Sequence, residues 1–571
     1  QETHRELIDD NYEDYICHEL FHHWFGDYVT CESWSNIPLN ESFADYSEYL
    51  WLSHKYGRDL ADEHLNSDLT QYLDEAMSEK KDLIRFYYTN REDMFDNHSY
   101  AKGARVLNML RNYVGDDAFF AALHLYLTQN AFGTGEIHKL RLAFEQITGQ
   151  DLNWFFNQWF LSKGHPVLTI DYDYNDNGNV EAVTISQNNT DSYSEYSSND
   201  VSYKDVPDVF QLPIKIDVYD STGVKHYNVN VNQQSQTFYF PAYTKPTLVN
   251  VDVDKMLLCE KTDNKGYEEY LWQYYHAPLY MDRLEAIQFF TTDQYYHSEC
   301  KQALIDALHD KYYGLRLDAL SGLNDDISEH INYDDNGTAT DFMSDTVPYL
   351  KIISALAATD SSSQVRSKAI SVLSATNNSV YMPVFINALK DSSYLVIGSA
   401  LDAVTALNSK EGYRQAQMLE NEENSNISYS VMSIYSTEAG ADKNNYFINK
   451  IKSANGDEVY NMYSSYGTYL LRQDTALQQQ GIMLLLDGAK NQKQWWNRYG
   501  AMNSAENIVD SWQTKQEDAI NAMGNVGSNS AEYQTQKKIA DQWSTLIEKW
   551  KKPIQKIKDA ETDHYLKSLW N

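Results

Sequence analysis

Cysteine, proline and long apolar runs are all scarce in this sequence, and each scarcity closes off a class of protein. Four cysteines, Cys17, Cys31, Cys259 and Cys300, are spread over 571 residues. That is too few for a disulfide framework, and no Cys-x-x-Cys pair offers a thiolate zinc site or a dithiol redox centre. Free buried thiols are expected, with a Cys17–Cys31 bridge as the alternative. No run of about 18 apolar residues occurs, so no membrane-spanning helix is expected. Basic side chains number 46 against 82 acidic ones, a formal charge of −36. Such a surface repels phosphate backbones and anionic lipid, which argues against nucleic acid and membrane surfaces as partners. The ten prolines and 45 tyrosines point to no role. The sequence starts at Gln1 without a charged-then-apolar leader, so either a removed leader or a fragment of a longer protein is expected. The compartment stays open, with a slight lean to export.

What is present is a chain long enough for several domains, with 42% apolar residues to pack them. Three textures follow one another. Residues 1–163 read as mainly helical. Apolar residues recur at helical spacing over Ser42–Tyr56, Lys102–Tyr113, Asp117–Leu127 and Glu136–Ile147. From Gly164-His165-Pro166 the period changes to two, with strands over Val167–Tyr172, Val180–Ile185, Ile214–Tyr219, Tyr227–Val231, Phe238–Phe240 and Thr247–Val253. Residues 164–262 are thus expected to form a small antiparallel β-sandwich, with Ser186–Asp205 as a long exposed loop. Residues 263–571 are helical again. Arg316–Leu320, Arg366–Ile370 and Ile397–Leu401 share an Ala-Leu/Ile pair at one offset, at spacings of 50 and 31 residues. That predicts an irregular array of HEAT-like helical hairpins. The late lysines Lys549, Lys551, Lys552, Lys556 and Lys558 read as a solvated helix face.

The chemistry concentrates in His18-Glu19-Leu20-Phe21-His22. Histidines four apart lie on one helix face, so both imidazoles can reach one metal ion, with Glu19 beside them as a general base. The string alone is only moderately specific and needs a third ligand. The metzincin pattern puts Gly and His beyond the second histidine, where this chain has Phe25 and Tyr28. The gluzincin pattern takes a Glu from a following helix. Eighteen residues separate His22 from Glu41, which sits in Leu39-Asn40-Glu41-Ser42-Phe43. Two His and one Glu leave a fourth position open, as one catalytic zinc ion requires. His23 is expected to pack or to support the ligands, and Asp27 and Asp45 are candidates for orienting the metal histidines. His54, His98, His124 and His165 read as isolated surface or core histidines.

The stretch His18–Glu41, with Trp24-Phe25-Gly26-Asp27 and Val29-Thr30, resembles the gluzincin zinc metallopeptidases of the aminopeptidase N and leukotriene hydrolase family. Tyr100-Ala101-Lys102-Gly103 and Leu152–Trp159 extend the likeness. The resemblance implies a thermolysin-like catalytic domain, then a β-sandwich, then a helical superhelix. It implies Tyr100 as the phenol that stabilises the oxyanion, and peptides with a free N-terminus as substrates. The family's Gly-x-Met-Glu-Asn segment, which grips the substrate amine, does not occur here. A missing N-terminal domain of the same parent protein is therefore expected to pack on the catalytic domain, and these 571 residues are expected to be weak or inactive by themselves. The family usually has Gln and Gly where this chain has His23 and Ser42. The alternative reading is a helical-repeat interaction protein with a vestigial zinc site.

Overall fold

The computed structural model describes residues 6–9, 12–189, 206–329, 332–333, 339–341, 349–454, 456 and 458–570. The expected loop therefore lies outside the described residues over positions 190–205. The chain divides into two compact units, one of Asp10–Asp326 and one of Gln1–Asp9 with Ile327–Asn571.

The first unit opens with α1 (Glu13–Phe21), β1 (Val29–Cys31), α2 (Pro38–Lys55) and α3 (Arg58–Ala76). After a connecting stretch come α4 (Gly103–Val114), α5 (Asp116–Gln129), β2 (Gly133–Gly135), α6 (Ile137–Thr148) and α7 (Asn153–Trp159). Helix α2 is the hub, packing against α1, α3 and α4. Leu39, Phe43, Tyr46 and Tyr49 follow helical spacing and are all buried. Pro38 occupies its first turn, where a missing N–H costs nothing. The helix thus starts four residues before the expected Ser42 and takes Glu41 into its first turn. Helix α3 was not separable by periodicity, because its buried side includes Asp62 and Asp68.

Strands β3 (Val167–Asn175), β4 (Val180–Gln187), β5 (Leu212–Asp220), β6 (Gly223–Val231), β7 (Ser235–Pro241), β8 (Leu248–Val251) and β9 (Glu260–Asp263) follow. They form two sheets, ordered β7-β4-β3-β9 and β6-β5-β8. Ile170, Val183 and Ile185 of one sheet and Ile216, Val218 and Val251 of the other belong to one continuous core. The expectation of a purely antiparallel arrangement needs one correction. Strand β9 pairs parallel to β3, Val167 opposite Glu260, because the chain returns to that edge only after laying down the second sheet. Helices α8 (Tyr267–His276), α9 (Tyr280–Asp293), α10 (Ser298–Ala307) and α11 (Tyr313–Glu329) come next.

Glu181 stands on the inward face of β4 in line with Val183 and Ile185 and is 2% exposed. Burial, with the charge of Glu269, pushes its carboxyl up from 4.5 to about 7. The folded state therefore holds a proton that the unfolded chain releases, and stability falls as pH rises from about 4.5 to 7. Glu181→Gln is expected to raise the melting temperature at pH 8, by about 1–3 kcal/mol of stability, and to change nothing near pH 4.5. A gain equal at both pH values would contradict this.

The second unit is almost wholly helical, from Leu350–Thr359 to His564–Leu569. The Ala-Leu/Ile pairs picked out by the repeat, Ala369-Ile370 and Ala400-Leu401 here and Ala319-Leu320 in α11, are completely buried. The lysine cluster lies on the helix Ala531–Ala560, with Lys549 bonded to Gln479 and Lys558 paired with Glu506. All four cysteines are free thiols. Among the described residues no helix is long and apolar enough to cross a membrane.

Candidate metal centre

Helix α1 presents His18 and His22 one turn apart, their ring centroids 5.0 Å from each other. The first turn of α2 brings Glu41 to both. Its Oε2 lies 3.6 Å from His18 Nε2 and 3.4 Å from His22 Nε2. A tetrahedral zinc with bonds near 2.05 Å holds its ligand atoms roughly 3.3 Å apart, so Glu41 already stands near coordinating separation from both histidines, and the three donors lie within 4.8 Å of one another.

The opposite ring nitrogens are committed. His18 Nδ1 lies 2.8 Å from Glu48 Oε1, and His22 Nδ1 lies 3.1 Å from the Phe25 carbonyl oxygen. Both partners only accept, so each Nδ1 carries the hydrogen, and each neutral ring leaves Nε2 as a lone-pair donor toward Glu41. Gly26 makes the Phe25 contact possible. The chain turns back so tightly there that a Cβ would sit 2.7 Å from the His22 carbonyl oxygen. The donor set therefore fits a zinc ion in chemistry and spacing.

Tyr100 reaches the cluster from a π-helical turn, His98–Lys102, that leads into α4. Its ring stacks on His18, centroids 6.0 Å apart and planes 11° from parallel. Burial and the charge of Glu41 push the phenol well above its ordinary range, so it remains a neutral donor. A clamp fixes this turn. Arg85 grips both oxygens of Asp96 at 2.5 and 3.0 Å and the Ser99 hydroxyl at 2.7 Å. Ser42, where the family usually has Gly, donates to the Ser99 carbonyl at 2.6 Å. That bond ties the turn carrying Glu41 to the turn carrying Tyr100.

Glu19 sits on α1 between the histidines, exposed to solvent. His23 and Asp27 are 66% and 76% exposed and lie 3.2 Å apart. The expectation that His23 packs or supports the ligands is therefore corrected: it faces outward, and it draws Asp27 to itself. Asp45 also makes no hydrogen bond to a metal histidine among the described residues. The carboxylate bonded to His18 is Glu48, which the sequence reading missed. Its signal was available: Glu48 follows Glu41 by seven residues, two turns along the same face of α2. Glu48→Gln is expected to weaken metal binding about 10–100-fold, read by competition with a chromophoric chelator. Unchanged affinity would remove Glu48 from this role.

Residues 2–159 match the family described as the Peptidase family M1 domain. Aminopeptidase A of Gloydius brevicauda is 28% identical over 219 residues, 37% of this chain and 22% of that protein. Tricorn protease-interacting factor F2 of Thermoplasma volcanium is 32% identical over 164 residues, 28% of this chain and 21% of that protein. Aminopeptidase N of Streptomyces lividans is 32% identical over 185 residues, 30% of this chain and 21% of that protein. The matched stretch thus spans only about a fifth of the length of these relatives. A crystal structure of Legionella pneumophila aminopeptidase A in complex with aspartic acid is similar in fold, with a TM-score of 0.56 at 16% identity, over 93% of this chain and 65% of that one. The histidine helix, the glutamate helix and the tyrosine turn all lie within residues 2–159, the stretch that matches the Peptidase family M1 domain.

Proposed function

We propose that this chain carries the metal-binding and acid–base machinery of a zinc-dependent aminopeptidase. The observation that carries the reading is the approach of Glu41 Oε2 to His18 Nε2 and His22 Nε2 at 3.6 and 3.4 Å, with each opposite imidazole nitrogen already satisfied. His18, His22 and Glu41 hold one zinc ion. When bound, that ion supplies a Lewis acid that polarises the scissile carbonyl and acidifies a water. The Glu19 carboxylate takes the proton from the attacking water and delivers it to the leaving amine. The Tyr100 hydroxyl donates a hydrogen bond to the oxygen that gains negative charge. The substrates are peptides with a free N-terminus.

The rest of the chain is read as support. Residues 1–163 form the catalytic segment, 164–262 a β-sandwich and 263–571 a HEAT-like superhelix. Residues 1–163 lack the amine-gripping segment, so we infer weak hydrolysis by the 571 residues alone. A further domain of the same protein is proposed to pack on the catalytic segment. Ile16 and Leu20, on the helix that carries both histidines, are 65% and 52% exposed, and an apolar surface there suits such a neighbour.

The test pairs metal analysis with turnover. The 571-residue chain is expected to retain one zinc equivalent that His22→Ala removes, while cleaving an aminoacyl-anilide far more slowly than any longer form of the protein. A chain whose zinc content ignores His22→Ala would refute the site, and brisk turnover by the 571 residues would refute the dependence on further sequence.

A further inference from the structure

Behind the zinc ligands lies a second cluster that they do not use. Helix α2 carries Glu41, Asp45 and Glu48 at steps of four and three residues, which places all three along one side. Glu41 and Glu48 serve the histidines of α1. Asp45, between them, meets His64 and Asp68 of α3, which are themselves four residues apart and so share a face. One donor atom from each of Asp45, His64 and Asp68 lies within 4.8 Å of the other two.

Asp45 Oδ2, His64 Nε2 and Asp68 Oδ2 are all closed to solvent, and none has a hydrogen-bond partner. Asp45 and Asp68 are 9% and 4% exposed. Neither forms an ion pair among the described residues. The basic groups nearest in effect form no ion pair with either carboxylate: His18 is bonded to Glu48, and Arg105 gives its Nη2 to the Leu257 carbonyl at 2.6 Å while its buried Nε has no hydrogen-bond partner. His64 Nε2 approaches Glu48 Oε2 at 3.4 Å without forming a hydrogen bond to it. Folded proteins satisfy most of their buried polar atoms, and here three residues whose donor atoms lie within 4.8 Å of one another each carry an unpartnered one, which leaves a place for a ligand. A water molecule would satisfy the hydrogen bonds but would leave two buried carboxylates without a countercharge. An imidazole and two carboxylates suit a divalent transition-metal ion.

We propose that Asp45, His64 and Asp68 bind a second divalent transition-metal ion between α2 and α3, separate from the ion held by His18, His22 and Glu41. Because the donor atoms are closed to solvent, the ion is structural. It neutralises the charge behind Glu48 and so steadies the carboxylate that orients His18.

The experiment is metal stoichiometry by mass spectrometry on the whole chain, stripped with chelator and reloaded with Zn2+ or, separately, Mn2+. The wild-type chain is expected to hold two equivalents, Asp68→Asn one, His22→Ala one, and the double variant none. Chelator is expected to lower the melting temperature of His22→Ala further, and to leave that of the double variant unmoved. Should Asp68→Asn fail to fold, His64→Gln, at a partly exposed side chain, carries the same expectation. One equivalent in the wild-type chain that His22→Ala abolishes, or two equivalents retained in both Asp68→Asn and His64→Gln, would overturn the proposal.

Discussion

Gly103→Ala is expected to destabilise the first unit by about 3 kcal/mol, and Ser42→Gly in the same chain to restore most of the loss. A Cβ on residue 103 would stand 1.8 Å from Ser42 Oγ and 2.4 Å from Ser42 Cβ. Rotation of the serine hydroxyl cannot relieve the second contact, since Cβ is fixed to the α2 backbone. Helices α2 and α4 must then separate, or the serine must abandon the Ser99 carbonyl. Overpacking of this kind costs about 1–3 kcal/mol, and an unsatisfied buried carbonyl about as much again. Ser42→Gly alone gives up the hydrogen bond and leaves a gap, which the alanine methyl then fills. Denaturation of the two single variants and the pair measures the coupling. A double variant no more stable than Gly103→Ala alone would show that the crowding is relieved elsewhere.

The other large effect concerns turnover. Glu19→Gln is expected to lower kcat by about 10²–10⁴-fold in the intact protein while zinc content and fold stay as they were. Glutamine keeps the size of the side chain but cannot take a proton. Glu19 is solvent-exposed and stands outside the set His18, His22 and Glu41, so its loss leaves the ligand geometry untouched. Loss of activity together with loss of zinc would instead assign Glu19 to the ligand shell. Retention of a tenth or more of the activity would assign the proton to another group.

The positions that could be read from sequence are those whose partners lie on the same helix or are dictated by coordination number. His18 and His22 are a local pair, and Glu41 follows from the need for a third donor after a turn. Helices α4, α5 and α6 were visible because their apolar stripes are uninterrupted. Helix α3 was not, because the side it buries is partly carboxylate. The parallel pairing of β9 depends on where an excursion of some ninety residues ends, and no local period records that. The Asp27 expectation failed for a similar reason. The turn at Gly26 sends that carboxylate to His23 and out to solvent, whereas Glu48 reaches His18 from thirty residues away. Arg85 and Asp96 look like ordinary surface charges in sequence, and only the fold turns them into the clamp behind Tyr100.

Helix α1 is an unusual place for the two histidines proposed as metal ligands, because none of its nine residues is fully buried. A helix this short has little stability of its own. Apart from the packing of Phe21 and the stacking of His18 on Tyr100, its named attachments are polar: Glu13 to Lys55 and Trp51, Cys17 to Ser47, and His18 to Glu48. The ion shared with Glu41 would then be a rivet as much as a reagent. It would join a loosely seated helix to the hub of the fold, and the free energy of metal binding would become part of the free energy of placing that helix. On that view loading locks a centre whose donors are already in place, and removing the ion loosens the helix that carries two of them.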